Sequence, residues 1–173
     1  MFEIALALIY SLLFVLLIRR LNFFTIKDIP RKWFVAIFLL KIIFGTALWA
    51  IYFFHYNESG DIFYYFKDGN IMYNVLFEKP IDYAKMLLCF QDAELEKYYR
   101  QMDYWTREYN QGLYNESRTV IRFNALVSLF SLGHYHVHTV FINFLSLCGL
   151  TGIYKTFLPF FQNKKKELFV SIF

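Results

Sequence analysis

A run of acidic and aromatic residues, Gly60-Asp-Ile-Phe-Tyr-Tyr-Phe-Lys-Asp-Gly69, contains the side chains best suited to chemistry. Asp61 and Asp68 are seven residues apart, which is two helical turns, so a helix places both carboxylates on one face. Tyr64 and Tyr65 fall between them on that face. Paired carboxylates can act as a general base, or can bind a divalent cation that meets a phosphate. The run therefore predicts Asp61 and Asp68 as catalytic residues, with a divalent cation as the candidate cofactor.

The same two carboxylates also have a purely structural interpretation. An aspartate in the first turn of a helix, as predicted for Asp61, is favoured by the helix dipole. Gly69 would then end the helix directly after Asp68. The composition of the run favours this second interpretation.

A second candidate cluster is the run of three histidines at His134, His136 and His138. On an extended strand the three side chains would share one face and could gather a metal, whereas on a helix His136 points away from the other two. The run precedes a long apolar stretch, where His and Tyr commonly anchor a helix at the membrane interface. We therefore predict interface anchoring and no metal site.

The elements that must position these residues lie in a chain of unusual composition. Of its 173 residues, 58% are hydrophobic and 23% aromatic, and the mean hydropathy is +0.35. A soluble fold of this size could not bury so much Phe, Leu and Ile. The composition predicts an all-α, polytopic membrane protein forming a single membrane domain over residues 1–173, with the lipid bilayer as its first partner.

Three apolar stretches are long enough to cross a bilayer, and the predicted spans are 3–24, 33–56 and 137–161. Lys41 is the one charged residue deep in the second span. It either extends toward the headgroups or pairs with a partner outside the chain. The apolar run 123–132 is too short to cross, so we predict that it lies along the interface.

Charge distribution suggests an orientation for these spans. Residues 19–32 carry a net charge of +4 and residues 56–118 a net charge of −4, while Lys164, Lys165 and Lys166 follow the last span. Short basic segments beside apolar runs follow the positive-inside rule, which places both basic clusters in the cytoplasm of a multi-pass protein of the cell (inner or plasma) membrane. The same distribution argues against nucleic-acid binding.

Residues 57–136 are then an extracytoplasmic loop. The loop is dense in aromatic residues and contains amphipathic helical patterns, which are typical of helices lying at a headgroup surface. Within it, Asp92 is predicted to cap a helix on which Glu96 and Arg100 form a pair four residues apart. The aromatic residues of its central part are Tyr98, Tyr99, Tyr104, Trp105, Tyr109 and Tyr114.

This order of elements, with the acidic motif opening the loop, resembles the amino-terminal part of the GT-C class of membrane glycosyltransferases. Those enzymes transfer a sugar from a polyprenyl-phosphate carrier on the outer side of the membrane and use a carboxylate in the first outside loop. The resemblance implies that Asp61 is the catalytic or metal-organising acid and Asp68 its supporting carboxylate. It implies Arg118 or Arg122 as the partner of the carrier phosphate. The candidate substrate-binding residues are therefore Tyr64, Tyr65, Arg118 and Arg122.

Two other functions are compatible with the sequence. The chain could be a non-catalytic membrane subunit that docks with other subunits through Lys41 and the aromatic loop. It could also be a piece of a polysaccharide polymerase or transporter. Residues 168–173 resemble the first turns of a further, truncated span, which predicts an amino-terminal fragment without independent transferase activity in envelope glycan assembly.

Overall fold

The computed structural model describes residues 2–57, 60–90, 92–106 and 116–173, and Tyr109 and Tyr114 lie outside this description. The secondary structure of the described chain is helical, with turns and extended connections between the helices and one isolated β-bridge between Ile26 and Ile29. Short 3-10 helices accompany the α-helices at Asn22–Phe24, Ala93–Leu95 and Leu158–Lys164. The α-helices of the described residues are α1 (Phe2–Arg20), α2 (Arg31–His55), α3 (Asp61–Glu78), α4 (Pro80–Leu87), α5 (Glu96–Tyr99), α6 (Ser117–Ser131), α7 (Tyr135–Phe157) and α8 (Lys165–Ile172).

Three helical segments of the described chain are long and apolar enough to cross a membrane: Phe2–Arg20, Arg31–His55 and Tyr135–Phe161. Their number matches the three spans predicted from the sequence, and the multi-pass topology stays a prediction. The first helix stops at Arg20, four residues earlier than predicted, because the backbone of Leu21 is extended. The last segment changes to a 3-10 helix beyond Phe157, because Pro159 has no amide hydrogen to continue the α-helical bonding.

Helix α6 is not among the candidate spans, as the sequence predicted for the run 123–132. Its orientation to a bilayer, and the location of the loop on the outer side, stay predictions. By contact, the chain divides into two compact units. We call Met1–Leu48 with Thr139–Phe173 the terminal unit, and Trp49–His138 the central unit. A single membrane domain over the whole chain also stays a prediction.

The terminal unit has a core made of aromatic rings. Phe14 of α1 stacks on Phe144 of α7 with centroids 4.2 Å apart, and its edge meets Phe38 of α2 at 6.2 Å. The Phe34 ring of α2 packs edge-on against the Phe169 ring, with centroids 5.5 Å apart. The described connection between α1 and α2 is part of this core, because it buries Phe24, Ile26 and Ile29. The basic segment between the first two predicted spans is therefore a packed turn.

Two further details of the terminal unit bear on the sequence predictions. Lys41 Nζ donates a hydrogen bond to Ser146 Oγ of α7 at 3.1 Å, so its partner lies within the chain. Residues 168–173 belong to α8 and its end, and Phe173 packs edge-on against Phe34 with centroids 5.5 Å apart. Whether these residues begin another span stays a prediction.

The central unit is built on the packing of α3 against α6. Gly69 does not end α3, which continues to Glu78, so that part of the structural interpretation is wrong. Gly69 instead allows α3 and α6 to pack closely together. A Cβ atom at this position would lie 2.7 Å from Asn124 Cβ and 3.1 Å from the backbone nitrogen of Ala125. Glycine is required there because any side chain would push the two helices apart.

Around this contact the central unit buries a mixed aliphatic and aromatic core. Asp92 caps the 3-10 helix Ala93–Leu95 by accepting the Glu94 amide at 3.1 Å, and Arg100 pairs with Glu96 at 3.5 Å, both as predicted. The buried residues of this core include Met72, Val75, Met86, Leu95, Tyr99, Trp105 and Ile121.

Candidate acidic and aromatic site on helix α3

The predicted face of α3 meets one short segment, residues 103–105. The Tyr104 hydroxyl donates a hydrogen bond to Asp61 Oδ1 at 2.9 Å. The Tyr104 ring stacks on Tyr64 with centroids 4.8 Å apart and presents its edge to Tyr65 at 5.3 Å. Asp61, Tyr64 and Tyr65 thus share a face, as the helical spacing predicts, and an aromatic ring from a distant part of the sequence covers the space between them.

Asp68 holds the backbone of the same segment. Its side chain is fully buried, with Oδ1 accepting the amide of Asp103 at 2.9 Å and Oδ2 accepting the amide of Tyr104 at 2.8 Å. Burial raises the pKa of Asp68 above its ordinary value, against the opposing effect of the two amide hydrogen bonds. Both oxygens are used inside the unit, so this carboxylate positions the backbone that carries Tyr104.

Asp61 has a different environment, although it lies on the same helix. It is exposed and begins the first turn of α3, where the positive end of the helix dipole favours a carboxylate. Gly60 precedes it as the N-cap residue and provides no side-chain hydrogen bond. Among the described residues, the Tyr104 hydroxyl is the hydrogen-bond partner of Oδ1, and Oδ2 has none. Asp61 is therefore the accessible acid of the pair.

Arg118 reaches the segment from the first turn of α6. Its Nε donates to the carbonyl of Trp105 at 3.0 Å, and its guanidinium lies 5.4 Å from the centre of the Trp105 ring. Trp105 in turn stacks on Tyr99, with centroids 4.3 Å apart and ring planes within 5° of parallel. Ser117, the residue before Arg118, has its Oγ 3.4 Å from the Tyr65 hydroxyl. The first turn of α6 thus lies beside the acidic face of α3.

Arg122 lies one turn further along α6. Its Nε donates to the carbonyl of Arg118 at 3.0 Å, which is a contact within the helix. In the described part of the chain, the structure does not bring Arg122 to the 103–105 segment. Of the six predicted residues, all except Arg122 contact the segment: Asp61, Asp68 and Arg118 by hydrogen bonds, and Tyr64 and Tyr65 by ring contacts.

The residues that sequence reasoning missed are those of the segment itself. Tyr104 and Trp105 stood out there only as part of a general aromatic density. Asp103 also takes part through its side chain, because Lys67 donates to Asp103 Oδ2 at 2.7 Å across the surface of the site. This hydrogen bond raises the pKa of Lys67. A separation of 35 residues between Asp68 and Asp103 left no local signal of the contact.

No group of three His, Cys, Asp or Glu side chains in the described ranges is arranged to hold a metal ion. A divalent cation at Asp61 would therefore take its other ligands from the substrate or from water, and it stays a prediction. In the histidine run, His138 is buried, with Nδ1 at 3.1 Å from Ser131 Oγ and Nε2 at 2.8 Å from Asn124 Oδ1. The His136 ring packs edge-on against Trp49 with centroids 4.6 Å apart.

A groove of about 550 Å³ adjoins the acidic face of α3 within the central unit. Most of its wall is aromatic, and its polar groups come from Lys67, Asn70 and Asn74. Tyr64 and Lys67 belong both to this groove and to the acidic face. The aromatic part of the wall consists of Trp49, Phe53, Phe63, Tyr64, Phe66 and Tyr135.

The chain matches no protein-family model, no curated protein and no solved structure.

Proposed function

We propose that this chain is a GT-C-like membrane glycosyltransferase or the amino-terminal part of one, and that it acts on a polyprenyl-phosphate-linked sugar in envelope glycan assembly. The observation that supports this proposal is the contrast between the two aspartates of α3. Both carboxylate oxygens of Asp68 accept hydrogen bonds from backbone amides, whereas Asp61 is exposed and is oriented by a tyrosine hydroxyl. An accessible, oriented carboxylate is the group that a general-base mechanism for such a transfer requires.

In the proposed reaction Asp61 acts as general base. It removes the proton from an acceptor hydroxyl, whose oxygen forms a new bond to the anomeric carbon of the sugar. The bond between that carbon and the carrier phosphate breaks, and its electron pair leaves with the polyprenyl phosphate. The hydrogen bond from Tyr104 to Oδ1 fixes the carboxylate so that Oδ2 is available to the acceptor.

The neighbouring residues have supporting roles in this proposal. Asp68 is a positioning residue, because it holds the backbone that carries Tyr104. Arg118 is the candidate partner of the carrier phosphate, since its guanidinium lies at the same segment and arginine suits a phosphate geometrically. Arg122 would act only in a longer phosphate path along α6. The aromatic groove beside Tyr64 suits the apolar isoprenoid or the sugar rings of the donor.

The test is donor consumption in membrane vesicles from the cells that make the protein, with each substitution introduced at its gene. The probe is a radiolabelled polyprenyl-phosphate hexose, and loss of label from the lipid fraction is measured. Asp61→Asn is expected to slow this loss at least about 100-fold, because it removes a general base. Glu78→Gln, which removes a carboxylate at the other end of α3, is the matched control and is expected to leave the rate within about twofold. An unchanged rate in Asp61→Asn would remove Asp61 from the mechanism.

A non-catalytic membrane subunit is the second candidate, and one observation favours it. The rings of Tyr64, Tyr65 and Tyr104 fill the space between the two aspartates with contacts internal to the unit. The subunit proposal predicts that Asp61→Asn and Glu78→Gln vesicles consume donor at the same rate. It also predicts that Tyr104→Ala reduces the amount of a co-purifying membrane subunit, which the catalytic proposal does not require.

A further inference from the structure

The terminal unit gathers basic residues at one end. Arg31, at the start of α2, hydrogen-bonds both Thr25 Oγ1 and the carbonyl of Arg19, at the end of α1. The end of α7 joins them, because the Lys155 ammonium lies 4.8 Å from the centre of the Phe23 ring. Helix α8 completes this end through the hydrogen bond from Tyr154 to the carbonyl of Lys165 at 3.1 Å.

These contacts bring many positively charged side chains to the same end of the terminal unit. The basic end contains half of the 18 Lys and Arg residues of the chain and only two acidic residues, Asp28 and Glu167. Such an excess of positive charge creates a potential that attracts anions. The nine basic residues are Arg19, Arg20, Lys27, Arg31, Lys32, Lys155, Lys164, Lys165 and Lys166.

An apolar groove of about 500 Å³ opens at this basic end, between the start of α2 and helix α8. Its apolar wall is formed by Ile29, Trp33, Ile37, Phe169, Val170 and Phe173. Val170 is 78% exposed and Trp33 53% exposed, so nothing in the described chain covers the groove there.

The two charged residues that line the groove, Asp28 and Lys166, differ in whether they form an ion pair. Asp28 forms an ion pair with Lys165 at 3.5 Å, which offsets the negative charge at the groove. Lys166 also lines the groove, and its ammonium has no ion pair within the described residues. The groove therefore presents one available cation next to an apolar wall, inside a strongly positive field.

We propose that this groove binds an anionic phospholipid of the bilayer, with the headgroup phosphate at Lys166 and an acyl chain along Trp33, Ile37 and Phe169. Basic pockets beside membrane helices recognise anionic headgroups through charge, and the acyl chain adds apolar contact. Trp33 stands at the first turn of a candidate span, which is where tryptophans meet the headgroup region. The inference involves only the terminal unit and is independent of the proposed transferase function.

The test uses Trp33 as the reporter, since it lines the groove. In the full chain with Trp49→Phe and Trp105→Phe, Trp33 is the only tryptophan, because the chain has three. The protein is reconstituted in phosphatidylcholine vesicles that contain increasing fractions of either brominated phosphatidylglycerol or brominated phosphatidylcholine. Brominated phosphatidylglycerol is expected to quench Trp33 at a mole fraction about fivefold lower than brominated phosphatidylcholine.

Two charge variants separate the groove from the general field. Lys166→Gln is expected to bring the preference close to one while leaving quenching by phosphatidylcholine unchanged. Lys164→Gln removes the same charge two residues away, at a position that does not line the groove, and is expected to keep most of the preference. Equal quenching by both lipids overturns the proposal, and so does an equal loss of preference in both variants, which would indicate a diffuse surface charge. A preference abolished by millimolar inorganic phosphate also overturns it, since the site would then bind free phosphate.

Discussion

The two units bury polar side chains in different ways. In the described part of the terminal unit, the buried Thr151 hydroxyl donates to the carbonyl of Leu147 one turn back in its own helix at 2.7 Å. Side-chain hydrogen bonds also join the helices of this unit, among them those from Lys41 to Ser146 and from the Tyr154 hydroxyl to the carbonyl of Lys165. In the central unit the buried polar side chains join separate segments. Asp68 holds the 103–105 segment, Ser128 donates to Asn70 across α6 and α3, and His138 lies between Ser131 and Asn124.

This difference indicates what holds each unit together. In lipid, apolar side chains gain little by leaving their solvent, so helices associate through close packing, as the ring contacts of Phe14 illustrate. Buried polar groups are costly unless paired, but when paired they select one arrangement of segments. The terminal unit therefore depends mainly on packing, and the central unit depends to a greater extent on a network of directional hydrogen bonds.

The largest effect that this comparison predicts is for Asp68→Ala. The substitution leaves the amides of Asp103 and Tyr104 buried without their acceptor, and it is expected to lower the free energy of unfolding of the central unit by about 3 kcal/mol. The measurement is thermal unfolding in detergent, followed by fluorescence of Trp105 in a chain with Trp33→Phe and Trp49→Phe.

Thr151→Ala is the matched loss of a buried polar group in the terminal unit. Its hydroxyl bonds a carbonyl that already belongs to helix α7, so the expected change is below about 0.5 kcal/mol. Hydrogen exchange of α7 amides measures it locally. Comparable losses in Asp68→Ala and Thr151→Ala would contradict the distinction between the two units.

A second prediction compares glycines. Gly69→Ala places a Cβ atom 2.7 Å from Asn124 Cβ, so α3 and α6 must separate, and the central unit is expected to lose about 2 kcal/mol of stability. Gly149 of α7 has no atom within 4 Å of a built Cβ, and Gly149→Ala is expected to be neutral or slightly stabilising. The same Trp105 fluorescence assay, with hydrogen exchange of α7 for Gly149→Ala, measures both. An unchanged melting temperature in Gly69→Ala would show that the α3–α6 contact tolerates a wider spacing.

The helices and candidate spans could be predicted from the sequence because they depend on local properties. Uninterrupted apolar length indicates a span, and Lys or Arg beside Pro30 indicates where it ends. The shared face of Asp61, Tyr64 and Tyr65 also follows from helical periodicity alone. The end of α3 was mispredicted at Gly69, because glycine both ends helices and permits close helix packing, and only the position of α6 decides between these roles.

The candidate site was less predictable, because its decisive contacts join distant parts of the chain. Nothing local to Asp68 indicates that two amides 35 and 36 residues away occupy its oxygens. The same holds for Tyr104, whose hydroxyl orients Asp61. Of the two carboxylates predicted as catalytic residues, Asp68 is buried and Asp61 is accessible, and tertiary packing creates that difference.

A smaller effect is expected for Ser128→Ala. The buried Ser128 hydroxyl donates to Asn70 Oδ1 at 2.9 Å, while the amide of Asn70 still reaches the carbonyl of Gly133. Losing one of these two bonds is expected to cost the central unit about 1 kcal/mol, in the same fluorescence assay. A loss as large as that of Asp68→Ala would mean that the network is coupled and not a sum of separate bonds.

The smallest expected effect is the pH dependence of the stability of the central unit. Two aspartates of this unit contribute to it with opposite signs. Burial raises the pKa of Asp68 above 3.8, so the folded state takes up this proton at a higher pH than the unfolded chain does. The Asp68 contribution therefore stabilises the unit as pH falls from about 7 toward about 4. It is lost again as pH rises through the raised pKa.

Asp92 acts in the other direction. The hydrogen bond from Lys85, at 2.5 Å, lowers the pKa of Asp92 below 3.8, so its stabilisation is present above that value and is lost as pH falls through the lowered pKa. The melting temperature of the Trp105 transition, measured between about pH 3 and pH 7, tests both signs. Relative to the unmodified chain, Asp68→Asn is expected to lose the gain on acidification, and Asp92→Asn to lose the fall at the acid end. If Asp68→Asn leaves the pH profile unchanged, burial does not outweigh the two amide hydrogen bonds, and Asp68 is held in the central unit as a fully compensated charge.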